Sequence, residues 1–389
     1  MTSRERFLKA MTSGIPDRVP VVPDISNYIP AKRTGLPYFD IYFNNAYPLW
    51  LSYLDTVDHY GFDAWIASCY YPGYLPPDDK VEVKTTVEVM ADMDGRIRRT
   101  RYRTPDGDME TQEIGLRADP PTLHVKMMRS VEEDWKKFQW INRPPLDIDR
   151  KGMAEVKTQC HQRGHAFGVS MAYPGFQWWF VFTQGGIEEL SLLAMEQPEL
   201  LDRWYEQDML VRRRELQLIL SCQPDYVLLG GSGTITLASP NLARKYALPG
   251  IAELCKQAKD ASVPTMLHSC GKSRALVKML AEETSLNCVN PLEHQAMGDV
   301  DLAEVKQAHG RQLSLMGNLH TTEVMLRGTP ELVRQRARQA IADAGTGGGF
   351  LLSSGDQCGR DTPEENFAAL LEAGLKHGIY NRDGNLINL

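Results

Sequence analysis

The sequence has no run of about 18 apolar residues, so no membrane-spanning helix is expected, and its opening, MTSRERFLKAMTSG, lacks the apolar core of a signal peptide. The protein is therefore expected in the cytoplasm, with no membrane partner. It also lacks an excess of positive charge: 43 Lys and Arg stand against 50 Asp and Glu, a formal net charge of −7. A broad nucleic-acid surface needs clustered cations to neutralise phosphates. Nucleic acid is thus not an expected partner, and the local run Arg212-Arg213-Arg214 reads as a solvated helix face. A disulfide framework is missing too, because the seven cysteines are odd in number and scattered over 389 residues. Cys69, Cys160, Cys222, Cys255 and Cys288 lie in apolar or helix-like surroundings and read as buried thiols. Internal repeats, low-complexity tracts and long linkers are absent.

What remains is an ordinary globular composition, 42% hydrophobic and 24% charged, arranged as alternating short apolar runs and amphipathic stretches. From about residue 160 this alternation is the pattern of repeated βα units around a parallel sheet. Residues 166–173 and 225–231 read as strands, and PTMLHSCG, LNCVNPLE, QLSLMGNL and GGFLLSS as four more. RVPVVPDIS and FDAWIAS are expected to supply the first two, with a helix at about 47–60 between them. The expected fold is α/β: a TIM-type (β/α)8 barrel forming a single domain over residues 1–389. Residues 81–126 interrupt it with period-two patterns broken at Asp94-Gly95 and Asp106-Gly107, hairpin signals that predict an antiparallel β insertion in the N-terminal half, covering the barrel mouth. The competing reading of that insertion is a peripheral or oligomer-forming appendage, which would admit a homodimer.

In a barrel, chemistry gathers at the carboxyl ends of the strands. There the sequence places His268-Ser269-Cys270, whose alternate residues share a face, so that one metal ion can take both side chains. Cys358 occupies an equivalent position just past GGFLLSS. Imidazole with two thiolates suits Zn2+ with one position open. Glu293, ending the neighbouring strand, is a candidate fourth ligand or a substrate contact. Tyr173, Phe176, Trp178 and Trp179 crowd the loop after residues 166–173, with Tyr28, Tyr70, Tyr71 and Tyr74 near the first two strands, so an aromatic pocket is expected. Tyr173, Trp178 and Trp179 are the chosen substrate contacts, although the two tryptophans cannot both face one pocket on a strand. Asn318, His320, His294 and Asp356 read as turn, rim or supporting residues rather than catalytic acids.

The opening SRERFLKAMTSGIPDRVPV, the HSCG segment, GNLHTTEVMLRGTPELVRQRARQAI and GGFLLSSGDQCGRDTPEENFAALLEAGLKHGIY together resemble the uroporphyrinogen decarboxylase superfamily, in its corrinoid-dependent methyltransferase branch. The resemblance implies a zinc site on His268, Cys270 and Cys358, and a partner protein carrying a corrinoid (cobalamin) whose cobalt exchanges a methyl group with a small molecule. Decarboxylases of the superfamily depend on an Arg-rich R-Q-A-G-R segment after the first strand and an acidic residue after the second. Here those places read DISNYIPAKRTG and FDAWIASCYY, so a tetracarboxylate porphyrinogen would lack its clamp. The expected function is O-demethylation of an aryl methyl ether, with methylcobamide:thiol methyl transfer as the alternative and a non-catalytic tetrapyrrole-binding scaffold behind both.

Overall fold

Six strands, β7 (Gly168–Ala172), β8 (Tyr226–Gly230), β9 (Thr265–His268), β10 (Cys288–Asn290), β11 (Ser314–Leu319) and β12 (Phe350–Ser354), pair in sequence order in one parallel sheet. The structure, a computed structural model, describes residues 1–389. Nearly every strand residue is buried, as expected where both faces of a parallel sheet are covered. The side chains separate by parity. Val227, Leu229, Leu267, Val289, Leu315 and Leu352 pack under the surrounding helices, whereas Leu228, Met266, Cys288, Met316 and Leu351 meet one another on the opposite side. Phe7, Ala10 and Met11 of the helix Ser3–Met11 fill the second set from the amino ends of the strands, with the Phe7 ring 5.1 Å from that of Tyr226. That end is therefore closed by packing, and chemistry is left to the carboxyl ends.

The first two expected strands are not regular strands, which corrects the reading of 18–26 and 62–68. Residues 18–26 make single bridges, Arg18 to Ile379 and Val21 to Leu352, and residues Ile66–Ser68 form a 3-10 turn. Pro20 and Pro23 have no N–H to donate, so VPVVP cannot sustain a ladder on both edges. The positions are nonetheless hydrogen bonded to the sheet: Val22 N–H donates to Leu352 (2.8 Å), Asp63 N–H to Val21 (2.9 Å) and Ser170 N–H to Tyr70 (3.2 Å). Buried Asp63 locks this seam, accepting from Arg6 (2.7 Å), Arg18 (2.9 Å) and the Val21 N–H (3.0 Å). The helix expected between the two segments is present as Leu49–Tyr60.

A two-stranded ribbon, β1 (Tyr74–Leu75) with β6 (Asp147–Ile148), flanks a four-stranded antiparallel sheet of β2 (Glu82–Val89), β3 (Gly95–Thr104), β4 (Gly107–Leu116) and β5 (Thr122–Val125). Gly107, at φ +124°, closes the β3–β4 hairpin in a conformation that favours glycine. The sheet leans on helices Tyr38–Asn44 and Val131–Ile141, with Arg96 over Phe39 and Arg98 over Phe43, both at 4.4 Å from the ring centre. No helix is long and apolar enough to cross a membrane.

Candidate metal centre and cavity

β9 ends at His268, and the chain turns at Gly271, φ +77°, where a Cβ would meet the Thr236 hydroxyl at 2.3 Å. That turn presents Cys270 beside His268. The loop after β12 brings Asp356 to the same place, and one ligand atom from each of His268, Cys270 and Asp356 lies within 4.8 Å of the other two. Imidazole, thiol and carboxylate so close together are a donor set that Zn2+ accepts. Asp356 holds φ +139°, a conformation that side chains rarely adopt, and its Oδ1 is 3.7 Å from His268 Nε2. The Trp65 ring stacks on the His268 imidazole at 6.2 Å and 27°.

The surroundings disfavour unpartnered negative charge. Burial, then Asp356 and Glu293, push the Cys270 thiol up to about 12. Burial, reinforced by Asp356, also raises the Asp24 carboxyl, against the pull of His268. A bound cation reverses this logic and draws thiol and carboxyl into their ionised forms. Glu293 does not join the group: it accepts the Gly271 N–H, so it holds the turn that carries Cys270. Its other oxygen, Oε1, is buried without a partner, and burial raises the carboxyl to about 7.

Cys358, assigned as a ligand from the sequence, also stands outside the group. It is fully buried two residues beyond Asp356, its N–H donating to the Asp24 carbonyl (2.8 Å), and burial pushes its thiol up to about 12. Asp356, read from the sequence as a supporting residue, stands with His268 and Cys270 because the loop turns at that residue. Asp24 was missed altogether, although it ends the first apolar segment as His268 ends β9.

A cavity of about 560 Å3 opens onto His268 and Asp356. Trp65, Tyr71, Tyr74, Trp178 and Phe180 are its aromatic walls, and buried Arg212 and Glu215 also line it. Arg212 is committed to Asp208 (3.0 Å) and Glu215 (2.5 Å). Of the expected substrate contacts, Trp178 lines the cavity, whereas Tyr173 and Trp179 are fully buried. The segment is a short helix, Phe176–Trp179, and its pitch turns Trp179 onto Trp204 at 5.0 Å, with Nε1 donating to Asp208 (3.1 Å). The Tyr173 hydroxyl meets Thr234 (2.6 Å) and donates to the His268 carbonyl (3.5 Å), so it positions the end of β9. Tyr28 and Tyr70 do not line the cavity, and neither does any residue of β2–β5. His294 and His320 face each other at 5.7 Å on the rim, where His320 accepts the N–H groups of Thr322 and Glu323 (both 3.2 Å) as a helix cap.

Residues 185–377, which hold His268, Cys270, Asp356 and Cys358, match the uroporphyrinogen decarboxylase (URO-D) family. The chain carries a URO-D family domain. Relatives include the methylated-thiol–coenzyme M methyltransferase of Methanosarcina mazei, 28% identical over 190 residues, covering 48% of this chain and 48% of the relative. The methylcobamide:CoM methyltransferase MtbA of the same organism is 27% identical over 153 residues, covering 36% of this chain and 41% of the relative. The uroporphyrinogen decarboxylase of Crocosphaera subtropica is 26% identical over 185 residues, covering 47% and 49%. The chain thus spans about half the length of the curated relatives it matches. A solved methyltransferase from Methanosarcina mazei shares the fold of the URO-D domain and of its N-terminal extension, with a TM-score of 0.66 at 15% identity over 96% of this chain and 98% of that one.

Proposed function

We propose that this chain is a zinc-dependent methyltransferase that moves a methyl group between a small molecule and the cobalt of a corrinoid carried by a partner protein. The observation that carries the reading is the convergence of His268, Cys270 and Asp356 beside an aromatic-walled cavity. The segments 18–26 and 62–70 are taken to complete a (β/α)8 barrel over residues 1–389, with 81–126 as an insertion in that single domain.

His268 and Cys270 would hold the ion from the end of β9, with the remaining donors from the loop after β12: Cys358, as the resemblance implies, and Asp356 as the ligand that substrate replaces. Asp356 takes this role in place of Glu293, which is engaged by the Gly271 N–H. When bound, the ion would supply Lewis-acid activation, either of the ether oxygen that carries the methyl group or of a thiol sulfur that is to receive it. The chain's own residues orient and exclude. Tyr173 fixes the His268 backbone, Trp65 limits rotation of its ring, and Trp178 with Phe180 offers apolar surface to a flat substrate.

An aryl methyl ether is the substrate class that this wall favours. Methyl transfer to a thiol is the second reading, favoured by the names of two relatives, both coenzyme M methyltransferases. Decarboxylation of a porphyrinogen is disfavoured by charge: the cavity carries Asp24, Asp356 and Glu215 against one arginine that is already paired. Methoxylated aromatics mixed with cob(I)alamin, with the alkylation of cobalt followed by absorbance, test the proposal beside a methylcobalamin-plus-thiol arm and a uroporphyrinogen arm. Ether-dependent alkylation is expected. Thiol methylation without ether turnover would replace the first reading by the second, and porphyrinogen turnover at a comparable rate would overturn both.

A further inference from the structure

The outermost strand of the antiparallel sheet, β2, is exposed along its whole length, with Val83 56%, Val87 43% and Val89 73% exposed. Its backbone polarity is fixed by the neighbouring strand. The Met90 N–H donates to the Gly95 carbonyl (3.1 Å), one step beyond the pair Val89↔Arg96. Opposed residues in an antiparallel pair alternate between bonded and non-bonded. Residues 82, 84, 86 and 88 therefore spend their N–H and C=O groups on β3, and Val83, Thr85, Val87 and Val89 direct theirs outward. Such an edge is a template for another strand unless it is blocked. No proline, bulge or covering loop blocks this one.

We propose that β2 is the surface on which a second copy of this chain docks, pairing β2 with β2 in antiparallel fashion about a two-fold axis at Thr86. With Thr86 opposite its own copy, Lys84 stands opposite Glu88 of the second copy, and Val83 opposite Val89, each twice by symmetry. Glu82 and Glu88 already pair with Arg103 and Arg99 of β3, which leaves Lys84 without an acidic partner on its own sheet. Placing the axis at Thr85 sets Glu82 against Glu88, and placing it at Val87 sets Lys84 against Met90, so the Thr86 register is the one that charge and apolar contact jointly favour. The exposed N–H and C=O groups then satisfy one another, and the two sheets become continuous. The valines that overhang the two supporting helices gain a mutual cover.

Sedimentation equilibrium over a micromolar concentration series, with Lys84→Glu, Glu88→Lys and the double exchange, tests the pairing. A reversible dimer is expected, weakened about tenfold or more by either single exchange and restored by the double one. In the proposed register Thr86 faces its copy in a non-bonded pair at about 4.5 Å between Cα atoms, within disulfide range. Thr86→Cys should therefore form a covalent dimer on oxidation, with residue 86 identified in the cross-linked peptide by mass spectrometry. Because β2 lines no part of the cavity, metal content should be the same in all variants. A monomer throughout the series would overturn the proposal. So would a dimer insensitive to the charge exchanges whose Thr86→Cys form does not cross-link.

Discussion

The two larger sheets of this molecule obey opposite rules. In the parallel sheet β7–β12 nearly every side chain is buried, no acidic or basic side chain other than His268 lies within the strands, and the carboxyl ends supply His268, Asn290 and Ser354. In the antiparallel sheet charges run the length of the strands and pair across them, Arg98 with Glu113, Arg99 with Glu88 and Arg103 with Glu82, and no residue reaches the cavity. Concentrating polar groups at one end of an apolar sheet creates a site. Distributing them evenly creates a soluble scaffold, whose cross-strand pairs each contribute only about 0.2–1 kcal/mol.

Substitutions should separate the two regions by the size of their effects. The largest loss is expected at the seam of the parallel sheet: Asp63→Ala leaves the Arg6 and Arg18 guanidinium groups without their buried acceptor and should cost about 3–5 kcal/mol in urea unfolding. Trp179→Ala should cost a similar 3–5 kcal/mol by opening a cavity against Trp204, with its effect on catalysis following from instability. Its neighbour sharpens the contrast. Trp178→Ala should leave zinc content unchanged and weaken binding of an aromatic ether by about 1 kcal/mol, seen as a raised KM, while a small thiol is little affected.

A pH series probes a link between the amino-terminal helix and β8. Burial alone would raise the Asp225 carboxyl, but Arg4 (2.7 Å), the Phe167 N–H (2.8 Å) and His161 (2.9 Å) hold it below its ordinary 3.8. A depressed carboxyl stabilises the fold above its unfolded pKa and loses that contribution as pH falls through its folded value. Arg4→Ala should therefore be less stable than the parent at pH 7, with the gap narrowing below pH 3.8 in parallel thermal melts. The smallest effect belongs to the other sheet: Val87→Ala on exposed β2 should change monomer stability by no more than about 0.5 kcal/mol.

The legibility of the sequence follows the same division. Strands β7–β12 could be read because burial on both sides gives continuous apolar runs ending in polar residues, and the hairpins because Asp-Gly marks their turns. The irregular form of the first segment could not, since Pro20 and Pro23 permit hydrogen bonds to the sheet but not a ladder. His268 and Cys270 were visible because a strand end fixes their shared direction. That Asp356 joins His268 and Cys270 depends on a loop conformation, φ +139° at Asp356, that spacing does not encode. The choice between Trp178 and Trp179 likewise rests on the phase of a four-residue helix, which a loop reading of the segment leaves open.

Metal analysis of the purified protein after exhaustive dialysis, beside the variants His268→Ala, Cys270→Ala, Asp356→Ala and Cys358→Ala, tests the central claim most directly. The account predicts about one tightly held zinc per chain in the parent. His268→Ala and Cys270→Ala should lose it, and Cys358→Ala should hold it much more weakly. Asp356→Ala should retain it, because the ligand that substrate replaces is dispensable for retention, with far-UV circular dichroism unchanged in every case. A parent protein that binds no zinc, or His268→Ala and Cys270→Ala proteins that retain it in full, would contradict the account.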